Sequence, residues 1–366
     1  MNLFRLLVFF LTASAVGASD ALKSAVIRHY AEIVSATYGD SLKSAENLRA
    51  SVHQFLAAPS ADSLAAARTA WIAARTPYLQ SETFRFYEGP VDQIDNRLNS
   101  WPVDETYIDS IINHPELHPN LSAESIAALN EKDGEKSIST GFHAIEFLLW
   151  GEDHDREGPG DRSYQDYLPE NDRRRSYLRI VTDMLVSDLK NLDADWQDNR
   201  PDNYRAWFLA SAHHQSLRKI LHGMGALSAT ELAGERLTVA YETKEQEDEH
   251  SCFSDTTQTD VIYNAVGIRN VYSGKYLRTD GTLIEGPCID ALLRKASPTL
   301  ADELTAQLDG SLAAARSIPA PFDQAFLGPD TAEGRIAIHR MIRALQQQAE
   351  TIAKVAAIIG LKEKSE

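Results

Sequence analysis

Hydrophobic residues recur along most of this 366-residue chain at the three- and four-residue spacing of amphipathic helices, and period-two alternation is almost absent. The spacing predicts an all-α protein. Stretches rich in glycine, proline and polar residues interrupt it and predict loops at 89–133, 152–170 and 319–330. The predicted helices, two of them short segments inside the first loop, are 21–37, 41–57, 60–87, 104–113, 122–129, 171–197, 202–225, 228–250, 258–277, 298–316 and 332–358.

The first 18 residues have the pattern of a secretory signal peptide. Arg5 supplies a positive charge, residues 6–11 are apolar and residues 13–18 are small, so cleavage is predicted after Ala18. No later segment approaches the ~18 uninterrupted apolar residues that a membrane-spanning helix needs. We therefore expect an exported chain with no transmembrane helix in its mature form. The 152–170 loop is the candidate boundary between domains 19–165 and 166–366.

One further segment, Gly141 to Gly151, combines a strongly apolar helix pattern with two ionisable residues. His143 and Glu146 lie three residues apart, so their side chains can meet on one helix face. A helix that is apolar on nearly every side is expected to be buried. A carboxylate buried in it must be paired, protonated or bound to a cation. The stripe predicted to face the core is Ile138, Phe142, Ile145 and Leu149.

Two interpretations of this pair remain open at this point. One is a structural hydrogen bond within the helix, and the other is half of a metal site, since histidine and carboxylate three apart recur as ligands in helical bundles. Gly141 favours the second. Glycine inside a helix costs about 1 kcal/mol relative to alanine, so we expect another group to approach the backbone closely there.

A second polar cluster lies on and after the 60–87 helix. Arg75, Glu82 and a further arginine share one stripe of that helix, and Asp92 and Asp95 follow its predicted end. Pro77 should kink the helix just before Glu82. The stripe is either a solvated face or a set of side chains that point into a site.

A third cluster is the acidic run 245–255, in which Glu247 and His250 form a reversed carboxylate and imidazole pair. Acidic residues at a helix C-terminus are disfavoured by the helix dipole, and they call for a partner such as an arginine or a cation. Most of the run is nevertheless expected to be a solvated helix end.

Charge and cysteine content narrow the possible functions. The net charge of −17 excludes a nucleic-acid-binding protein that depends on neutralising phosphates, and it favours cations or basic partners. Cys252 and Cys288 are the two cysteines. In an oxidising compartment they are candidates for a disulfide, which spacing alone does not establish.

These motifs together resemble a known family. The Gly-x-His-x-x-Glu motif that ends in Phe-Leu-Leu-Trp-Gly, together with residues 74–86, 89–92 and 248–255, is similar to the imelysin-like family, which includes bacterial insulin-cleaving peptidases and iron-regulated protein A. The resemblance covers about residues 24–355. It implies an exported all-helical protein of two four-helix-bundle-like domains, located in the periplasm or peripheral to the outer membrane and involved in iron acquisition.

The resemblance also implies a ligand set. His143 and Glu146 are the metal ligands it indicates, with Glu82 and Asp95 as additions from the second cluster. The bound species would be a divalent or ferric ion, iron or zinc, or a small iron ligand. Membrane-bound iron-uptake components are the implied partners.

The family name also raises the alternative of a metallopeptidase. Peptidase zinc sites take three protein ligands and a carboxylate that activates water. The usual helical motifs His-Glu-x-x-His and His-x-x-Glu-His are both absent. We therefore favour a binding protein over an enzyme. A second alternative is a di-metal carboxylate bundle that uses His143, Glu146, Glu247 and His250.

Overall fold

The computed structural model describes residues 2–153 and 158–359, with side chains from residue 20 onward. It is 72% helical, which confirms the predicted all-α class. The α-helices are α1 (Asn2–Ala57), α2 (Ala61–Ser81), α3 (Asp95–Leu98), α4 (Glu105–Asn113), α5 (Ala123–Leu129), α6 (Gly141–Trp150), α7 (Asp172–Trp196), α8 (Tyr204–Ala210), α9 (His213–Ala226), α10 (Val239–Thr243), α11 (Thr257–Ser273), α12 (Ile289–Ala296), α13 (Pro298–Ser317), α14 (Phe322–Ala325) and α15 (Glu333–Ile358). A π-helix (Leu227–Thr238) joins α9 to α10, and strands β1 (Lys275–Leu277) and β2 (Leu283–Glu285) form an antiparallel hairpin.

The helices pack as two connected groups. In the first group, α1 packs against α2 and α7, and α6 packs against α2 and α7. In the second group, α15 packs against α9, α13 and the π-helix, and α11 joins the groups by packing against both α2 and α13. The predicted boundary between residues 165 and 166 stays a prediction, although α7, on its C-terminal side, packs within the first group.

The N-terminal predictions meet the structure only in part. The predicted signal peptide, residues 1–18, lies outside the residues whose side chains are described. Within the part of the chain that is described, no helix is long and apolar enough to cross a membrane. The predicted break at Gly39-Asp40 is wrong, because α1 continues through it. The Asp40 carboxylate does not end the helix. It accepts hydrogen bonds from Tyr276 and Arg278 of the hairpin region instead.

Helix α6 is the apolar segment singled out by the sequence, and each of its residues is buried. Gly141 is its first residue, not an interior one as predicted, and it has a φ of +85°. A Cβ atom there would lie 2.6 Å from the carbonyl oxygen of Leu98 and 2.8 Å from that of Arg97. The predicted close approach of backbone is therefore confirmed. Glycine is required both by the positive φ and by the neighbouring carbonyl groups.

The predicted helix 228–250 is wrong in its last turns, because helical structure ends at Thr243. The chain forms the π-helix and α10, and then Lys244 adopts a left-handed conformation with φ of 60°. Glu247 is exposed in a short 3-10 turn, whereas His250 is buried in the segment that follows. The predicted Glu247 and His250 pair does not form, because the two residues do not share a helix.

The two cysteines do not form the predicted disulfide. Both are free, with Cys252 buried and Cys288 partly exposed. Cys252 lies near the carboxylates of Glu146 and Glu249, and burial raises the pKa of its thiol well above the usual value. Cys288 occupies the residue position just before α12, beside Gly274. The two thiols therefore belong to different surroundings.

Candidate functional site

The centre of the site is the His143–Glu146 pair on α6. A hydrogen bond of 2.7 Å joins His143 Nδ1 to Glu146 Oε2, and the two side chains are 1% and 0% exposed. The other carboxylate oxygen, Oε1, accepts hydrogen bonds from the Ser254 backbone N–H at 3.0 Å and from its hydroxyl at 2.6 Å. His143 Nε2 is buried and has no hydrogen-bond partner among the described residues. Both oxygens of the Glu146 side chain are therefore hydrogen-bonded, and Nε2 of His143 is not.

Burial controls the protonation of this pair. It raises the pKa of Glu146 to about 8, against the opposing effect of the Ser254 hydroxyl. Burial, and then the charge of Arg75, lowers the pKa of His143 well below its usual value, so the imidazole is neutral at pH 7. When Glu146 ionises, the imidazole proton lies on Nδ1 and Nε2 carries a lone pair. That form can coordinate a cation.

A second imidazole lies beside the first. The ring centres of His143 and His250 are 4.6 Å apart, with an angle of 67° between the ring planes. His250 Nδ1 lies 2.6 Å from Asp260 Oδ2, and the same oxygen accepts hydrogen bonds from Arg75 at 2.9 Å and from the Ser251 hydroxyl at 2.6 Å. Each histidine therefore has its Nδ1 atom on a buried carboxylate.

The predicted additional ligands Glu82 and Asp95 belong to a neighbouring arginine network. Glu82 Oε2 accepts hydrogen bonds from Arg85 at 2.7 Å and from Arg236 at 2.6 Å. Burial opposes ionisation of Glu82, but the two guanidinium groups outweigh it and hold the pKa at about 2. Asp95 pairs with Arg85, yet burial raises its pKa to about 7.

The predicted four-residue ligand set is therefore not assembled. Glu82 and Asp95 bind arginines, and Glu146 Oε1 and Oε2 are both already hydrogen-bonded. Across residues 20–153 and 158–359, no three or more His, Cys, Asp or Glu side chains are grouped so that they could hold a metal ion. Any ion bound here would need ligands from solvent or from a second molecule, in addition to the imidazole groups.

A cleft of about 410 Å³ borders the site and gives access to it. His250 and Trp101 lie in its wall, with their ring centres 5.5 Å apart. Arg85, Asp95 and Arg236 line it as well, so the arginine network faces the same space. The cleft therefore reaches the site at His250.

Of the remaining predicted residues, Arg75 lies in the site and Asp92 does not. Arg75 is buried, binds Asp260 and Asn99, and lies over the Phe142 ring. Asp92 accepts hydrogen bonds from the backbone N–H groups of residues 86, 87 and 89, so it holds the turn after α2.

Three residues of the site were missed by the sequence analysis: Ser254, Asp260 and Arg236. Ser254 lies in the 248–255 stretch that supports the family resemblance, which was the available signal. Asp260 opens a helix that otherwise resembles a bundle helix, and Arg236 is brought to Glu82 by a π-helix that the amphipathic pattern does not reveal.

Comparisons with known proteins show to which family the chain is similar. The family model described as imelysin, a peptidase family, matches residues 34–352. Iron-regulated protein A of Synechococcus elongatus is 26% identical over 353 residues, which cover 93% of this chain and 88% of that protein.

Two solved structures share the fold. One, described as an iron-regulated protein A precursor from Parabacteroides distasonis, is similar with a TM-score of 0.77 and 24% identity, over 93% of this chain and 95% of the other. An imelysin-like protein from Psychrobacter arcticum has a TM-score of 0.67 and 15% identity, over 91% and 93% of the two chains. With the family model covering most of its length and its motif at the centre of the buried site, this chain belongs to the imelysin family.

Proposed function

We propose that this protein is an exported binding protein that holds a metal ion, or a small iron-containing ligand, at His143 for bacterial iron acquisition. The observation that carries the proposal is the buried, unpartnered Nε2 atom of His143 backed by the Glu146 carboxylate. Metal-binding histidines usually donate their other ring N–H to a carboxylate, which fixes the tautomer. Glu146 then orients the ligand and does not itself bind the ion.

The energetic cost of the unpartnered nitrogen supports this assignment. A buried polar atom without a partner costs about 1–3 kcal/mol. A ligand that coordinates Nε2 removes this cost, whereas a purely structural pair would leave it in place. Imidazole suits iron and zinc better than calcium or magnesium, which prefer oxygen ligands.

The names of two relatives support iron as the element involved. Both the Synechococcus protein and the Parabacteroides structure are named as iron-regulated protein A. Location in the periplasm or at the outer membrane, with membrane-bound iron-uptake components as partners, belongs to the same proposal. It follows from the signal-peptide pattern and from the family.

The peptidase alternative receives less support from the geometry. A peptidase zinc site needs a third protein ligand and a carboxylate that is free to activate water. Glu146, which is bonded to His143, already takes part in one hydrogen bond with His143 and accepts two from Ser254. The di-metal alternative loses its second pair, because Glu247 is exposed and does not meet His250.

Calorimetric titration with Zn²⁺ and, without oxygen, with Fe²⁺ tests the proposal. His143→Ala should weaken binding by more than about 100-fold, since it removes a ligand and not only a supporting group. The fold should survive because the apolar face of α6 is unchanged. A matched control is His29→Ala, which removes another buried histidine bonded to a glutamate three residues on. This control should bind metal like the native chain.

Two results would contradict the proposal. Equal metal affinity in native protein and His143→Ala would remove His143 from the site. A fall in the stability of His143→Ala of about 1–3 kcal/mol, with no effect of metal on the melting temperature of either protein, would make the pair purely structural.

A further inference from the structure

We infer that His250 is a second nitrogen ligand of the same site, and that Asp260 is the residue that positions it. The inference rests on the proposed function and deepens it, since it assigns the site a ligand class: a borderline transition-metal cation held by two imidazoles. Its other coordination positions would be filled by water or by oxygen atoms of a small ligand in the cleft. His250 lies outside the Gly-x-His-x-x-Glu motif, 107 positions after His143.

The spacing of the two rings suits a shared ion. Metal–nitrogen distances of about 2.0–2.1 Å place each imidazole centre ~3.2 Å from the ion. Two such rings at the angles of a tetrahedral or octahedral site then lie about 4.5–5.2 Å apart. The His143 and His250 ring centres are 4.6 Å apart. The spacing of the two ring centres therefore fits one shared cation.

Asp260 sets the tautomer that coordination requires. Its Oδ2 atom accepts hydrogen bonds from Arg75 and Ser251, so toward His250 it is an acceptor as well. At 2.6 Å from Oδ2, His250 Nδ1 must therefore carry the ring proton. Arg75 lies farther from that nitrogen, at 3.4 Å. Nε2 is left with its lone pair, as in His143 when Glu146 is ionised.

The surroundings of His250 favour a cation over a purely structural role. Among the described residues, the hydrogen-bond contacts of His250 all run through Nδ1, and its ring lies in the wall of the cleft. The charged groups bonded to the pair are the carboxylates of Glu146 and Asp260 and the guanidinium of Arg75. Asp260 balances the charge of Arg75, so it is the Nε2 lone pair at the cleft wall, and not a net negative charge, that favours a cation.

The number of coordinated imidazoles is the direct test. Cu²⁺ is a suitable probe, because pulsed electron paramagnetic resonance detects the remote nitrogen of each bound imidazole. The native full-length protein should show two imidazoles, and His250→Gln and His143→Gln should show one each. His29→Gln should still show two. One imidazole in the native protein would overturn the inference.

Asp260→Asn tests the positioning role separately. Its amide NH₂ can donate to Nδ1, which would move the ring proton of His250 to Nε2. Nitrogen NMR of the metal-free protein should show this tautomer change, and Zn²⁺ affinity should fall by about 10–100-fold. Glu32→Gln, beside His29, should change neither. An unchanged His250 tautomer would remove Asp260 from the role, and if this variant does not fold, His250→Gln still decides the ligand.

The outcomes also separate the inference from the proposed function. If the native protein binds Zn²⁺ and His143→Ala does not, while His250→Gln binds normally, then the inference is wrong and the proposed function stands. If the native protein binds neither Zn²⁺ nor Fe²⁺, both are wrong.

Discussion

Among the residues that the structure describes, two buried histidines are each bonded to a glutamate three residues later, and they differ in what surrounds the second ring nitrogen. In α1, His29 Nδ1 lies 3.0 Å from Glu32, and Nε2 donates to the Gly274 carbonyl at 2.9 Å. In α6, His143 has the same Nδ1 contact, but its Nε2 has no partner among the described residues. The same short motif therefore makes hydrogen bonds through both ring nitrogens in α1, whereas in α6 it leaves Nε2 without a partner.

The two carboxylates differ in the same direction. The Glu32 side chain is 55% exposed, so water solvates its charge, whereas Glu146 is 0% exposed and depends on Ser254 for its remaining hydrogen bonds. A His-x-x-Glu motif alone does not indicate function. What matters is whether the surrounding fold satisfies Nε2, and this is decided by residues far away in sequence.

The largest expected effect comes from the position two residues before each histidine. Gly141→Ala should destabilise the protein by about 2–5 kcal/mol, because alanine at φ of +85° is strained and its Cβ would meet the Leu98 carbonyl at 2.6 Å. The equivalent residue in α1, Ile27, is a buried core residue, and Ile27→Val should cost only about 0.5–1.5 kcal/mol. Chemical denaturation measures both. A neutral Gly141→Ala would show that α6 can shift without loss.

A smaller effect should separate the two carboxylates by pH. The folded-state pKa of Glu146, about 8, is above its unfolded value, so the folded state binds more protons. Stability is therefore lost as pH rises toward 8. Between pH 6.5 and 8, the loss should be about 1.5 kcal/mol smaller in Glu146→Gln than in native protein. Glu32→Gln should show the same loss of stability as the native protein, because Glu146 is intact in it. Asp95, with a pKa of about 7, also contributes to the loss, but equally in all three proteins.

Denaturation curves at several pH values above 6.5 check this expectation. Unfolded histidines, with a pKa of about 6.5, still titrate at the lower end of this window, but they do so equally in all three proteins. Equal pH dependence in native protein and Glu146→Gln would mean that Glu146 is ionised throughout the window, with His143 Nδ1 always protonated.

The smallest expected effect uses the two cysteines as reporters of the two pairs. Cys252 lies near Glu146, and Cys288 adjoins Gly274, whose carbonyl binds His29. In native protein Cys288 should react with a thiol reagent faster than Cys252, which is buried. His143→Ala should raise the labelling rate of Cys252 about tenfold, because the structure around it opens locally, and leave that of Cys288 unchanged. His29→Ala should raise the labelling rate of Cys288 and leave that of Cys252 unchanged.

Thiol counting also checks the free state of the cysteines. Unfolded, unreduced protein should contain two thiols. Fewer than two thiols would mean that the cysteines form a disulfide after all. In the labelling experiment, an equal increase in the rates of both thiols in either variant would mean that the two surroundings are coupled.

Local patterns predicted the helical class and the centre of the site because both depend on nearby residues. The apolar stripe of α6 and the pairing of His143 with Glu146 follow from spacing. The close approach at Gly141 was expected from the cost of glycine inside a helix, but its cause is the positive φ of this first helical residue and the Leu98 carbonyl beside it. The short helices α4 and α5 were also predicted within one or two residues of their bounds.

The errors have a common physical cause, which is long-range pairing. Nothing local shows that Asp40 binds a hairpin more than 230 residues later, so Gly39-Asp40 was interpreted as a break. Nothing local shows that Arg236 arrives at Glu82, so that carboxylate was interpreted as a ligand. Continuing the helical period to residue 250 chose Glu247 as the partner of His250, whereas the fold supplies Asp260.

The two hydrogen bonds from Ser254 to Glu146 join parts of the chain that are 108 residues apart, and they have a consequence for ligand release. Helix α6 belongs to the first packing group, while His250 and Ser254 belong to the segment leading into α11. A ligand coordinated by both His143 and His250 would stabilise the contact between α6 and this segment. At 100 times its Kd it would add about 2.7 kcal/mol to their association. By the same linkage, a partner that separates the two parts would weaken ligand binding by an equal free energy.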